Sequence, residues 1–159
     1  MAELALSWAG EDGELFEEGL LHPRVVDVAL AEGGWMERFV AERGPLLPPE
    51  ELALVVMWLA TPRAVYRVVE ARPGRSLTVE DLARKERVEI GEPALSRHLR
   101  PGEAFCSRAL ADGSSTRLIP DVVLVGAGDE EELLEVLAGG DPRDILLALG
   151  EREERLGGS

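Results

Sequence analysis

Three residue types that nucleophilic enzymes use lie in one part of this chain: His98, the only cysteine, Cys106, and Asp121. A cysteine attacks a substrate as the thiolate, which requires a base within hydrogen-bond distance and a third group that orients the base. The turn sequence RPGE separates His98 from Cys106, so the two side chains could lie on neighbouring strands. A cysteine-dependent enzyme is therefore one hypothesis.

The residues around this cysteine favour a structural explanation. Cys106 stands inside the apolar run AFCSRAL, and a lone cysteine in such a run is usually a small buried hydrophobe. Ser96, Arg97 and His98 precede a turn, where polar side chains are mostly solvated. We therefore predict that Cys106 belongs to a β-strand and that the chain has no catalytic residue.

The sequence also predicts no metal ion and no cofactor. The two histidines, His22 and His98, are far apart, and no second cysteine accompanies Cys106. The acidic run from Asp129 to Glu132 lacks the alternating ligands and the glycine of a calcium loop, and a favourable helix start explains it. No glycine-rich phosphate-binding pattern is present.

Charge is distributed unevenly along the chain, whose net charge is −14 over 159 residues. Residues 1–23 carry six acidic side chains and no basic one, and residues 126–159 carry ten acidic side chains and three arginines. Residues 63–125 instead carry eleven basic and nine acidic side chains. The overall acidity argues against tight non-specific DNA binding but allows a local arginine surface.

The elements that would position these groups begin with helices in residues 24–62, after an acidic segment over residues 1–23. HPRVVDVALAEGGWMERFVAERG reads as two helices that Gly33–Gly34 separates, with Val25, Val28 and Ala29 facing inward on the first. Met36, Phe39 and Val40 form the expected inward face of the second. A third helix begins near Pro48–Pro49 and is apolar on nearly all sides from Leu52 to Leu59, which predicts burial.

Residues 63–125 read as a small β-barrel of SH3-like or OB-like size. Five short strands are expected in RAVYRVVEA, SLTVEDL, RVEI, AFCSRAL and TRLIPDVVLV, separated by the turn sequences RPGR, ARKE, RPGE and ADGSS. Pro120 should mark an edge or a bulge in the last strand. Residues 126–159 predict two acidic helices, capped by Asp129 and Asp141, and a frayed tail REERLGGS. The fold class is α+β.

The central part of the chain resembles a known family. ALAEGGWMERFVAERGPLLPPEELALVVMWL, RAVYRVVEARPGRSLTVEDLARKERVEI and SRHLRPGEAFCSRAL are similar, in this order, to bacterial SEC-C motif-containing proteins, found mostly in high-GC actinobacteria. The resemblance covers about residues 28 to 125. It implies the helical-plus-barrel fold and a bacterial source. The cysteine-rich zinc knuckle of the family is missing, so the resemblance implies no zinc ligand and no activity.

The candidate binding residues are arginines at two predicted turns. Arg72 and Arg75 flank the first turn, and Arg97 and Arg100 stand at the second. Small barrels bind nucleic acid through arginines and exposed aromatic side chains on one face, but aromatic residues are scarce here and a solvated mixed-charge surface explains the arginines as well.

We expect a cytoplasmic, non-catalytic binding or regulatory module that contacts a protein partner with a basic face. RNA or single-stranded nucleic-acid binding by the barrel is the alternative, and a cysteine-dependent enzyme is the third hypothesis. No run of residues is long and apolar enough for a membrane helix, and the N-terminus does not read as a secretory signal.

Overall fold

The computed structural model describes residues 22–157, with side chains to residue 155. It is an α+β structure with six α-helices and a five-stranded antiparallel sheet in this part of the chain. The chain divides into two compact units. The helical unit combines residues 22–59 with residues 136–157, and the β-unit comprises residues 60–135. The predicted acidic segment over residues 1–23 lies almost wholly outside the described residues.

The first helices begin and end where proline and glycine predict. Helix α1 spans Pro23–Ala31 and helix α2 spans Trp35–Arg43. The α1 N-terminus is capped by His22, whose Nδ1 accepts a hydrogen bond from the Arg24 N–H (3.2 Å). Gly34 has φ 74°, a conformation that glycine adopts without strain, and this allows the sharp change of direction between the helices. The predicted inward face of α1 is confirmed, because Val25, Val28 and Ala29 are fully buried.

A short 3-10 turn, Gly44–Leu46, leads into helix α3, Pro49–Leu59. Two predictions about this region are wrong. No residue of α3 is buried, and Phe39 on α2 is 43% exposed although its spacing predicted an inward position. Apolar periodicity shows which face of a helix is hydrophobic. It does not show whether another element of the fold packs against that face.

The β-unit contains seven strands in the described residues. They are β1 Ala64–Arg72, β2 Ser76–Asp81, β3 Arg87–Ile90, β4 Ala104–Ser107, β5 Ala109–Ala111, β6 Thr116–Leu118 and β7 Val123–Val125. The sheet order is β3-β2-β1-β4-β7, all antiparallel, and β5 and β6 form a separate hairpin. A bulge between Val68 and Glu70 shifts the register of β1 against β2.

Two of the five predicted strands are each divided into two. AFCSRAL is interrupted at Arg108, which is buried and donates a hydrogen bond from Nε to the Thr61 carbonyl oxygen (3.2 Å). TRLIPDVVLV is interrupted between Leu118 and Val123, around Pro120. Proline has no N–H for a ladder, so the segment after β6 leaves the hairpin and returns as β7 beside β4.

The described strands do not form a closed barrel, so that part of the fold prediction is not confirmed. A backbone hydrogen bond from the Gly91 N–H to the Thr116 carbonyl oxygen (2.9 Å) joins the end of β3 to β6. No ladder pairs β3 with the opposite edge strand, β7, among these residues. Among the described strands, β3 and β7 are therefore the outer strands of the five-stranded sheet.

Four-residue helix α4, Leu95–His98, occupies a stretch where the sequence predicted a strand end and a turn. Its Ser96 is buried and its Arg97 and His98 are exposed. Helix α5 spans Glu130–Gly139 and helix α6 spans Pro142–Gly157. Asp141 caps α6 as predicted, accepting the Arg143 N–H at Oδ1 (2.8 Å).

The frayed tail predicted for REERLGGS is wrong as far as residue 157, because α6 includes this stretch. Arg152 is buried and donates from Nη1 to the Ala148 carbonyl oxygen (2.8 Å). The helical unit buries Ile145, Leu146 and Leu149 of α6. These side chains, with those of α1, give the unit its apolar interior.

One cluster of buried side chains in the β-unit is centred on the face of the sheet that carries Tyr66 and Phe105. Its buried side chains are Ala64, Tyr66, Val68, Leu77, Val79, Ile90, Leu99 and Phe105. The rings of Tyr66 and Phe105 lie 5.6 Å apart on adjacent strands. No helix in the described residues has the length and apolarity needed to cross a bilayer.

Candidate functional site

The three residues that suggested nucleophilic chemistry lie in different settings. Cys106 lies on β4 opposite Val65 of β1 and Val123 of β7, and its exposed fraction is 1%. His98 is exposed on α4 instead of lying on a strand next to β4. Asp121 is buried with its carboxylate 3.9 Å from Arg63 Nη1. The prediction that Cys106 belongs to a strand is confirmed.

Two of the four candidate arginines, Arg72 and Arg75, are the first and last residues of one turn. Arg72, Pro73, Gly74 and Arg75 form a β-turn closed by a hydrogen bond from the Arg75 N–H to the Arg72 carbonyl oxygen (2.9 Å). Proline at the second position and Gly74 at φ 77° in the third match a type II turn. This confirms the turn that the sequence predicted.

Helix α4 packs on this turn and carries Arg97 to it. The Gly74 N–H donates to Ser96 Oγ (2.9 Å), and Ser96 Oγ donates to the Pro93 carbonyl oxygen (2.9 Å). A Cβ placed on Gly74 would stand 3.2 Å from Arg97 Nη2 and 3.4 Å from Nε. The guanidinium of Arg97 therefore lies over the glycine, the residue before Arg75 in the chain. We call Gly74, Arg75, Ser96 and Arg97 the arginine turn.

The other two candidates lie apart from the arginine turn or are already paired. Arg72 Nε donates to Glu70 Oε1 (3.0 Å), and its Nη1 is 3.6 Å from Glu89 Oε1. Arg100 belongs to the second turn, RPGE, where the Gly102 N–H donates to the Val68 carbonyl oxygen (2.8 Å) in the middle of β1. Arg97 thus joins Arg75 at the first turn, Arg72 at the start of that turn is paired with carboxylates, and Arg100 lies in a different turn.

Most remaining cations of the β-unit have carboxylate partners. Arg67 donates to Glu130 Oε1 (3.0 Å), and this hydrogen bond lowers the pKa of the Glu130 carboxyl. Arg84 pairs with Asp81 (3.1 Å) and Arg87 with Glu80 (3.6 Å). Within residues 60–135, the cations that form no ion pair with a described residue are Arg75, Lys85, Arg97, Arg100 and Arg117.

Sequence reasoning missed an exposed apolar surface in the helical unit. Five large apolar side chains on α2, the 3-10 turn and α3 are exposed: Trp35, Phe39, Leu46, Val56 and Met57. We call them the helical apolar surface. Trp35 and Phe39 are one helical turn apart, and the Arg38 guanidinium lies 5.0 Å from the Trp35 ring centroid. The sequence did indicate that α3 is apolar on nearly all sides. The conclusion that this helix is buried was wrong.

Carboxylates accompany this surface on the same helices. Glu37 and Glu42 lie on α2, and Glu50 and Glu51 lie in the first turn of α3. All four are exposed, and none forms an ion pair with another described residue. Their charge is therefore available to a cationic group from outside the chain.

Within residues 22–157, no three His, Cys, Asp or Glu side chains are grouped as a metal ion would require. The acidic run from Asp129 to Glu132 begins α5, and one of its members, Glu130, is engaged by Arg67. No family model, no curated protein and no solved structure matches this chain.

Proposed function

We propose that this protein is a non-catalytic binding module, and that the helical apolar surface contacts a protein partner. The observation that supports this most directly is the exposure of aromatic and apolar side chains on neighbouring elements: Trp35 is 42% exposed, Phe39 43% and Val56 48%. Protein interfaces are enriched in aromatic residues and methionine, and contiguous exposed apolar groups on a monomer commonly mark interaction sites.

Charge determines the kind of partner. Glu37, Glu42, Glu50 and Glu51 surround the apolar side chains in sequence and form no ion pairs with the described residues. They would attract lysine and arginine and would repel an acidic protein. The partner that fits is an amphipathic segment with apolar side chains on one face and basic side chains on its border.

The test is binding of a synthetic amphipathic helical peptide made of leucine and lysine to the full chain, measured by calorimetry at low and high salt. Burying an aromatic side chain contributes about 2 kcal/mol. We therefore expect Trp35→Ser and Phe39→Ser to weaken binding at least tenfold. Added salt should weaken binding to the original protein as well.

The matched control is Leu124→Ser, because Leu124 is 44% exposed on β7 in the other unit. It should leave the affinity unchanged. A second peptide with glutamate in place of lysine should bind much more weakly. Equal losses in Phe39→Ser and Leu124→Ser, or equal binding of the two peptides, would contradict the proposal.

RNA or single-stranded nucleic-acid binding by the β-unit is the alternative. The cations at the arginine turn support it. The aromatic side chains of the β-unit count against it, because Tyr66 and Phe105 are buried and offer bases no stacking platform. A cysteine-dependent enzyme is the third hypothesis, and the burial of Cys106 argues against it.

We also infer that the two sheets of the β-unit form the wall of a small barrel, SH3-like or OB-like in size. The Gly91–Thr116 hydrogen bond and a second one, from the Leu118 N–H to Glu92 Oε1 (3.1 Å), support this by joining the end of β3 to β6. We also propose that the protein is cytoplasmic and that it is related to the bacterial SEC-C motif-containing proteins. A lone, buried cysteine fits a reducing compartment.

A further inference from the structure

We infer that the arginine turn binds a carboxylate group of an acidic protein segment. This site lies in the β-unit and uses charges opposite to those of the helical apolar surface. It does not depend on the function proposed for that surface, so the two can be tested separately.

The first support is the preorganisation of Arg97. Its guanidinium packs closely on Gly74, because a Cβ on that residue would stand only 3.2 Å from Arg97 Nη2. The helix that carries it is held to the turn by the hydrogen bond from the Gly74 N–H to Ser96 Oγ (2.9 Å), and Ser96 is buried. A guanidinium that is already positioned loses less conformational entropy when it binds an anion.

The second support is that the guanidinium groups of Arg75 and Arg97 are not used within the described residues. Three carboxylates of the β-unit have other partners: Glu70 and Glu89 contact Arg72, and Glu92 accepts a hydrogen bond from the Leu118 N–H. Arg75 and Arg97 are exposed, and neither forms an ion pair or a side-chain hydrogen bond with a described residue. The guanidinium donors of Arg75 and Arg97 are therefore available to an acceptor from outside the chain.

The third support distinguishes the class of ligand. The planar guanidinium donates two parallel hydrogen bonds to one carboxylate or one phosphate. An extended nucleic-acid backbone needs a continuous basic track and aromatic stacking. The β-unit instead alternates acidic and basic side chains, and Tyr66 and Phe105 are buried. A compact contact with one or two carboxylates of a protein segment fits this surface better.

The test is fluorescence anisotropy of a labelled short oligoglutamate peptide with the full-length protein at low salt. Arg97→Gln and Arg75→Gln should each weaken binding about tenfold, because each substitution removes a charge-assisted hydrogen bond to the peptide. Arg97→Lys should restore only part of the affinity, because lysine keeps the charge and loses the planar fork.

The matched control is Arg72→Gln, which removes an equal charge two residues from Gly74 at a side chain that is already paired. It should change the affinity less than twofold. Circular dichroism of each variant verifies that it folds. The inference is overturned if oligoglutamate does not bind, if Arg72→Gln weakens binding as much as Arg97→Gln, or if oligouridylate binds more tightly with the same dependence on Arg97.

Discussion

At Tyr66, burial and a neighbouring carboxylate both act on the phenolic proton. The side chain is buried in the core of the β-unit, and desolvation, reinforced by the negative charge of Asp81, raises its pKa from 10.0 to about 12. The unfolded chain releases this proton near pH 10, whereas the folded chain keeps it until about pH 12. The free energy of unfolding therefore falls as the pH rises between these values.

We expect the contribution of Tyr66 to lower the free energy of unfolding by about 1 kcal/mol between about pH 9 and pH 11. Urea denaturation of the original protein and of Tyr66→Phe at both pH values measures it. The variant should lose less stability on the alkaline side, since it has no phenol to ionise. The same loss in both proteins would show that the pKa of Tyr66 is not raised.

Cys106 gives a second prediction for a single residue. Its side chain is buried between Val65 and Val123, so a thiol reagent has no path to the sulfur while the sheet is intact. We expect Ellman's reagent to react with the native protein at least a hundredfold more slowly than with the denatured chain. Rapid reaction in the native state would instead support the hypothesis of a cysteine-dependent enzyme.

Among the elements, the β5–β6 hairpin depends on one acidic side chain. Asp112 Oδ1 accepts hydrogen bonds from the N–H groups of Ser114 (3.1 Å) and Ser115 (2.8 Å). These bonds favour the carboxylate and lower the pKa of Asp112 from 3.8 to about 2, the Ser115 N–H being the largest cause. The stabilisation they give is present above about pH 4 and is lost as the pH falls through about 2.

The measurement is the amide chemical shift of Ser115 during an acid titration by NMR. It should follow a midpoint near pH 2 in the original protein. In Asp112→Asn, which keeps a side-chain oxygen but cannot ionise, the Ser115 amide should not titrate in this range. A midpoint close to the ordinary value of 3.8 would contradict the hydrogen bonding seen at this turn.

Among the elements, the sequence predicts those features that depend on local chemistry. The turns RPGR, RPGE and ADGSS were predicted because proline, and glycine with positive φ, act locally: Gly74, Gly102 and Gly113 all have φ above 70°. The start of α1 at Pro23 and the cap of α6 at Asp141 follow from equally local chemistry. These features need no knowledge of the rest of the chain.

Properties that depend on distant residues were not predicted. Where the predicted strand breaks, the buried Arg108 donates to the carbonyl oxygen of Thr61, which is 47 positions away in the sequence. The exposure of Phe39 depends on what packs against α2. From the sequence alone, Arg72 and Arg97 were equally good candidates for binding residues. Only the positions of Glu70 and Glu89 show that the first is engaged within the fold.

For the whole molecule, each unit has an apolar interior of its own, and the helical unit assembles from two separate stretches of sequence. Val25 and Val28 of α1 and Leu149 of α6 are fully buried in it. A hydrogen bond from Arg24 Nη1 to Glu153 Oε2 (2.8 Å) connects the two helices. Removing the end of α6 should therefore affect α1, although they are far apart in the sequence.

We expect truncation after Leu149, which removes Arg152 and Glu153, to increase hydrogen exchange in residues 23–31 at least tenfold. Exchange in β1, β2 and β4 should change little, because the core of the β-unit is intact. Exchange measured by mass spectrometry on peptides from both units tests this. Equal acceleration in both units would mean that they unfold together as one cooperative body.

The division of the helical unit also determines the order in which the chain can fold as it leaves the ribosome. Residues 60–135 form a complete β-unit, and proteins fold such units as they emerge from the N-terminal side onward. Helix α1 is synthesised earlier, yet it must wait for α6 to supply Ile145 and Leu149. During this interval the nascent chain carries an unfinished apolar surface, to which a chaperone or the partner itself could bind first.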